Sequence, residues 1–206
     1  MRYPVQRPMR HQVHASRSAT ALAIGAALLA SCAGPKAFVH PEADFPFYEN
    51  VGIVPFTSLG QDRLAGEKVT GIFFTELLRT GFAEVREPGQ FLAVIQRIRG
   101  VTPLGTAWST ADLARLGEEA GVQGLFMGVV RDYEMTRVGR DSYPLVSVEA
   151  RLVDAATGRV VWSASDTRRA GPTTPIFAWG EIHTLGELTS RMCRELLRTL
   201  PRGVAG

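Results

Sequence analysis

The stretch that decides the fold is Tyr143-Pro144-Leu145-Val146-Ser147-Val148-Glu149-Ala150-Arg151-Leu152-Val153, followed by Asp154-Ala155-Ala156-Thr157-Gly158 and then Arg159-Val160-Val161-Trp162-Ser163-Ala164-Ser165. Val146, Val148, Ala150 and Leu152 alternate with Ser147, Glu149 and Arg151. A period of two with one apolar side predicts a strand with one buried and one wet face. Asp154 to Gly158 is turn chemistry, with a glycine where a positive φ is convenient. Val160, Trp162 and Ala164 are then expected on one face of a returning strand. The whole reads as an antiparallel hairpin.

Upstream of the hairpin, Val122 to Val130 is the most apolar run of the domain and reads as a central strand, with Asp132 to Met135 as its half-exposed extension. Before it, Ser109 or Thr110 can cap a helix with Asp112 in its first turn, where a carboxylate suits the helix dipole. Leu113 and Leu116 mark that helix's apolar side and Gly121 closes it. Residues 100–108 read as a loop. Phe91, Ile95 and Ile98 predict a short helix that stops near Gly100, after a strand over Phe82 to Arg86 broken by Pro88 and Gly89. Gln61 to Thr80 has helical spacing of Leu64, Val69, Ile72, Phe73, Leu77 and Leu78, with Gly81 to end it. Val51 to Phe56 reads as a buried strand in which Pro55 lacks a ladder donor. Downstream, residues 167–175 are polar and Pro-rich, and Ile176 to Leu200 predicts a final helix with a stripe of Ile182, Leu185, Leu188, Met192, Leu196 and Leu200. The expected fold class is α/β: a mixed sheet with a late antiparallel hairpin, flanked by helices, over residues 50–202.

The N-terminal 31 residues form a different region. Arg2, Arg7, Arg10 and Arg17 precede a small, apolar run from Ala19 to Ala30. A basic segment, a short apolar segment and small residues before a cleavage point make a secretory signal peptide. As a helix that run reaches about 18 Å, short of the about 30 Å of a bilayer core. Leu29-Ala30-Ser31-Cys32 has the pattern of a bacterial lipobox, so residues 1–31 are expected to be removed and Cys32 to carry acyl chains. Met9 is an alternative start to Met1. Ala33, in place of an Asp after the Cys, resembles an outer-membrane address, on the periplasmic face. Residues 32–49 hold three prolines and no regular period, and read as a tether to the lipid. The last part, with Phe45, Phe47 and Tyr48, is apolar enough to pack on the domain. About 16 extended residues reach at most about 55 Å.

Charge follows from this division. The chain has 23 Lys+Arg and 20 Asp+Glu, and four of the Arg but none of the acids precede Cys32. From Cys32 onward 19 basic residues face 20 acidic ones, net −1, which removes a charge argument for nucleic acid as a partner.

Catalytic motifs are missing. No Gly-rich phosphate loop follows a strand, and Ser58 and Ser109 lack a nucleophile-elbow context. Past Cys32, His40 and His183 have no paired Cys or His at ligand spacing. Glu118, Glu119, Glu181 and Glu187 read as solvated helix faces. Cys193 lies on an apolar helix face beside Met192 and is expected to be buried and inert. The chain is therefore read as a non-enzyme with no catalytic, cofactor-binding or metal residues, and Cys32 as its one site residue.

The landmark order Val51-Gly52-Ile53-Val54-Pro55-Phe56, Thr75-Glu76-Leu77-Leu78-Arg79-Thr80-Gly81-Phe82-Ala83-Glu84-Val85, Leu113 to Val130, and Arg151-Leu152-Val153-Asp154…Thr157-Gly158…Val160-Val161-Trp162 resembles the CsgG-type and LpoB-type bacterial lipoproteins and the amino-terminal domain of TolB. The resemblance covers about Val51 to Ser165 and implies a fold and no catalytic site. It implies a lipid-anchored periplasmic protein with an envelope protein as partner: an adaptor or regulator in cell-envelope assembly, with LpoB-like activation of a peptidoglycan synthase as the leading specific reading. The alternative is a homo-oligomeric subunit or accessory of a CsgG-like outer-membrane secretion assembly. Arg131, Asp132, Glu134, Arg137, Arg140 and Asp141 suit no lipid face, which argues against membrane hairpins within residues 131–147.

Overall fold

The structure, a computed structural model, describes residues 34–100, 107–171 and 182–203. Its described strands are β1 (Lys36–Val39), β2 (Asn50–Ile53), β3 (Thr57–Ser58), β4 (Glu84–Val85), β5 (Gly124–Val138), β6 (Asp141–Asp154) and β7 (Val160–Arg169). Its helices are α1 (Ala65–Thr80), α2 (Pro88–Arg99), α3 (Thr110–Ala120) and α4 (Leu185–Leu197). One mixed sheet runs in the order β1-β7-β6-β5-β2-β4, with β3 also on β5. β2 is parallel to β4 and β5, whereas β5, β6, β7 and β1 are successively antiparallel. The expected α/β class with a mixed sheet and a late hairpin is what the chain forms.

One sheet face is closed by α1 and α4 over a chain of aromatic rings. Phe56 meets Phe73 at 5.1 Å, Phe73 meets Phe126 at 5.5 Å, and Phe126 meets Trp162 edge-on at 6.1 Å. Cys193, Met192 and Leu196 of α4 complete this core. The opposite face is closed over its β2 side by α2 and α3, which bury Val54, Leu125, Met127 and Val153. Trp162 is fully buried and its indole N–H donates to Thr199 Oγ1 at 3.1 Å, giving its polar atom the partner that burial requires.

Pro55 falls between β2 and β3, where the ladder is interrupted. Phe56 N–H there donates to Thr70 Oγ1 at 2.8 Å, and that hydroxyl donates to Gly66 O at 2.7 Å. The approach of α1 is so close that a Cβ on Gly66 would stand 2.0 Å from Phe56 O.

The helix boundaries follow their caps. Ser109 Oγ accepts from Asp112 N at 3.0 Å, and Gly81 and Gly121 end α1 and α3 in the left-handed conformation. Pro88, expected only as a strand breaker, opens α2, and the Glu87 carboxylate accepts from Gly89 N and Gln90 N. Proline suits that first position because its missing N–H is unsatisfied there anyway.

Three expectations are corrected. Lys36–Val39, read as tether, is the edge strand on β7, and Phe45 and Tyr48 are buried while Phe47 is exposed. The final helix begins at Leu185, because Thr184 caps it by accepting from Glu187 N; residues 182–184 are not helical and 176–181 lie outside the described residues. Val160 does not share a face with Trp162: the register shifts between Leu152 and Val153, so Val160 packs on the α2–α3 side while Val161, Trp162 and Ala164 belong to the α1–α4 core. The half-exposed extension of β5 expected over Asp132 to Met135 is present and runs on to Val138. It pairs with β6 from Asp132↔Ser147 to Val138↔Asp141, making a two-stranded arm that turns at Gly139 (φ 65°).

Candidate functional site

Cys32, the one residue assigned a role from sequence, lies outside the described residues. The others are scattered. Cys193 has no exposed surface, and burial pushes its thiol up to about 12, so it carries no thiolate at neutral pH. His183 stacks on Tyr143 at 6.2 Å, far in the fold from His40 at the end of β1. Glu119 bonds Arg115 at 2.8 Å on the surface of α3. Ser109 is consumed as a cap, and Ser58 donates to Arg63 O and accepts from Gly66 N. Among the described residues no three His, Cys, Asp or Glu side chains stand together as metal ligands.

A cleft of about 180 Å³ opens beside the ends of β2 and β3, lined by Val54, Trp108, Met127, Glu149 and Arg151 among others. Glu149 is held by Arg131 at 2.7 Å, and Arg99 stacks over Trp108 at 4.4 Å. The cleft is below the range of about 300–1,000 Å³ typical of small-molecule sites, and among the described residues that line it no nucleophile and base converge.

The residues of the late hairpin that carry the family resemblance form a latch. Asp154 Oδ1 accepts from Thr157 N at 2.8 Å and Thr157 Oγ1 at 2.6 Å, closing the turn on itself. Its other oxygen accepts from Tyr48 O–H at 3.2 Å. Burial, then the adjacent Asp154 charge, push the Tyr48 phenol up to about 12. Gly158 completes the turn at φ 72°. The Asp-x-x-Thr-Gly pattern thus ties the β6–β7 turn to the segment entering β2, and its job is structural.

What the fold leaves open is backbone. Among the described residues β1 pairs with β7 and on its other side with none, and its Phe38 and Val39 are 49% and 40% exposed. On the other side of the sheet β3 ends at Ser58↔Val130, so among the described residues β5 has no neighbour but β6 from Asp132 to Val138. Exposed Leu59, Leu64 and Met135 belong to this region and to the start of α1. Sequence reasoning missed both edges; the exposed apolar residues are their signal, visible only once the pairing is known.

No family model matches the chain, and no curated protein does. Among solved structures, the PelC dodecamer of Paraburkholderia phytofirmans is similar at 20% identity over 82% of this chain and 96% of that one, with a TM-score of 0.57. Lipoprotein GNA1162 of Neisseria meningitidis is similar at 22% identity over 72% and 98%, with a TM-score of 0.51. The LpoB C-terminal domain of Escherichia coli follows at 14% identity over 62% and 88%, but its TM-score of 0.45 is too low to carry an argument. The chain therefore shares its fold with a subunit of a dodecamer and with a lipoprotein.

Proposed function

We propose that this chain is an envelope lipoprotein, anchored through Cys32 to the periplasmic face of the outer membrane, whose domain acts by binding protein and first of all by assembling with copies of itself. In this reading it is a non-enzymatic subunit or accessory of a secretion or transport assembly. The lipobox supports the anchor. The observation that carries the assembly is the fold likeness to a subunit of the PelC dodecamer, spanning nearly all of that chain.

The position of β1 favours this reading over that of a long-reach activator of a peptidoglycan synthase. The sheet begins at Lys36, four residues past Cys32. Four residues extend at most about 14 Å, against the about 55 Å of a tether running to residue 49. A domain held so near the membrane suits a ring resting on it. No helix among the described residues is long and apolar enough to cross a membrane, so attachment in this reading rests on the lipid. Two or three acyl chains make that attachment durable.

Two measurements test it. Cys32→Ser is expected to abolish palmitate labelling and release the protein from membranes; retained labelling refutes the anchor. The acylated protein extracted in detergent is expected to be several times the monomer mass, and a monomer at all concentrations refutes the assembly.

A further inference from the structure

We infer that neighbouring copies join by pairing β1 of one with the free stretch of β5 of the next, so that their sheets become continuous; this rests on the self-assembly proposed above. The two edges lie on opposite sides of one sheet. A contact between different edges is heterologous, and repeats of it close into a ring when the rotation allows. An isologous contact of β1 with β1 would stop at a dimer.

The backbones are matched. His40 N donates to Val161 O at 2.8 Å, so by the alternation of an antiparallel ladder the N–H and C=O of Ala37 and Val39 point away from β7. β1 runs antiparallel to β7, and β7 and β5 are both antiparallel to β6. β1 is therefore antiparallel to β5, and related copies standing side by side meet as an antiparallel pair.

The side chains are matched as well. Lys36 lies opposite Ser165 and Phe38 opposite Ser163, on the face away from α4, while Val39 lies opposite core-facing Trp162. On β5, Asp132 and Glu134 lie opposite Ser147 and Leu145 on that same outer face, whereas Tyr133 and Met135 share the α4 side with Val146. Continuing the sheet brings Lys36 to the face that holds Asp132 and Glu134. It brings Val39 to the face that holds Tyr133 and Met135. Among the described residues Lys36, Asp132 and Glu134 have no ion-pair partner within their own chain.

The heights differ in the way closure requires. Through β7 and β6, Lys36–Val39 stands level with Phe126–Val129 of β5, about six residues or 20 Å below the free stretch. Four strand spacings separate one copy's β1 from the next, about 19 Å. A rise of that size over that width tilts the strands by about 45°, at the upper end of the 35–45° of closed sheets. The exposed apolar residues of a short edge strand, a liability when left bare, would then be covered by the neighbouring copy.

The test uses the full acylated chain extracted in detergent, with its mass followed by light scattering. Ala37→Pro removes an outward N–H and no bond to β7, a substitution edge strands tolerate. It and Lys36→Glu are each expected to lower the assembled fraction at least about tenfold near the assembly midpoint. Glu134→Lys added to Lys36→Glu should restore assembly, which a mere folding defect would not show. A chain carrying both Ala37→Cys and Met135→Cys should form a ladder of disulfide-linked multimers, because within one chain the two positions are three strand spacings and about six residues of height apart, about 25 Å, and cannot bridge. If the protein is monomeric throughout, the self-assembly reading itself fails. If it is oligomeric but neither single variant changes its mass and no ladder forms, self-assembly stands and this interface is wrong.

Discussion

Asp154 shows how much one side chain can hold. It accepts three hydrogen bonds, two from Thr157 and one from Tyr48, and so joins a turn to a segment more than a hundred positions away. Asp154→Ala strands the buried Tyr48 hydroxyl and opens the turn, and is expected to lower stability by about 2–3 kcal/mol in urea melts. Tyr48→Phe removes one of the three bonds and should cost about 1 kcal/mol. Alkali offers a second readout at this scale. The Tyr48 phenol and the Cys193 thiol are raised from 10.0 and 9.0 to about 12 each, first of all by burial. A raised pKa means the unfolded chain deprotonates first. The stability these groups contribute is therefore complete below pH 9 and is lost as pH climbs from about 9 to about 12. Cys193→Ala should flatten that fall over its lower part, measured as the urea midpoint against pH; an unchanged slope would show that the thiol is not the group titrating.

At the scale of elements, α1 and α4 are joined by one buried acid. Glu76 is 4% exposed and accepts from Ser190 Oγ at 2.5 Å and from both Nε and Nη2 of Arg194 at 3.2 Å. Arg194, more than its burial, sets the direction of its titration and holds the carboxyl below its ordinary 4.5. Stability from a depressed carboxylate is present above the unfolded value and lost as pH falls through the folded one. Glu76→Gln is thus expected to cost about 2–3 kcal/mol at pH 7 and to reduce the acid sensitivity that begins below about pH 4.5. Gly66→Ala acts on the other side of α1, since its methyl would meet Phe56 O at 2.0 Å; a loss of about 2–4 kcal/mol is expected in thermal melts. None of these partners is adjacent in sequence, and this marks the limit of what the residues alone reveal. Local signals were legible: the alternation of Val146 to Leu152, the caps Ser109, Gly81 and Gly121, and the Asp154–Gly158 turn. Non-local ones were not. Nothing in Lys36–Val39 announces a strand, because its one partner among the described residues is the distant β7, and the charges of the β5–β6 arm disguised its length because both its faces stay partly wet. The bulge at Val161 shifted Val160 to the other face, which no two-residue period can foresee. The candidate site divided in the same way: Cys32 is a motif read along the chain, whereas the two open edges exist only through pairing order.

For the whole molecule, the proposed anchoring and the proposed assembly would be coupled through concentration. Confined to a surface layer by Cys32, copies of this domain would meet with an effective concentration on the order of millimolar, as short tethers generally give, so even a weak edge contact would assemble. The proposed contact is short, four residues of β1 with Lys36 as its one charge, and short edge pairs are marginal in water. The released Cys32→Ser protein is therefore expected to be monomeric at micromolar concentration and to assemble only at concentrations about 100-fold higher than the anchored form, within the avidity range of such coupling. Sedimentation of the soluble variant across that range, against crosslinking of the anchored protein in vesicles at matched copy number, measures the difference. Equal assembly in both settings would mean that the contact is strong by itself and that the lipid only places the ring. Because β1 begins at most about 14 Å of chain from Cys32, lengthening this link by about 20 flexible residues should not disturb the fold, but should dilute the copies and reduce crosslinking in vesicles of fixed copy number. If crosslinking survives the insertion unchanged, proximity to the membrane is not what drives the copies together.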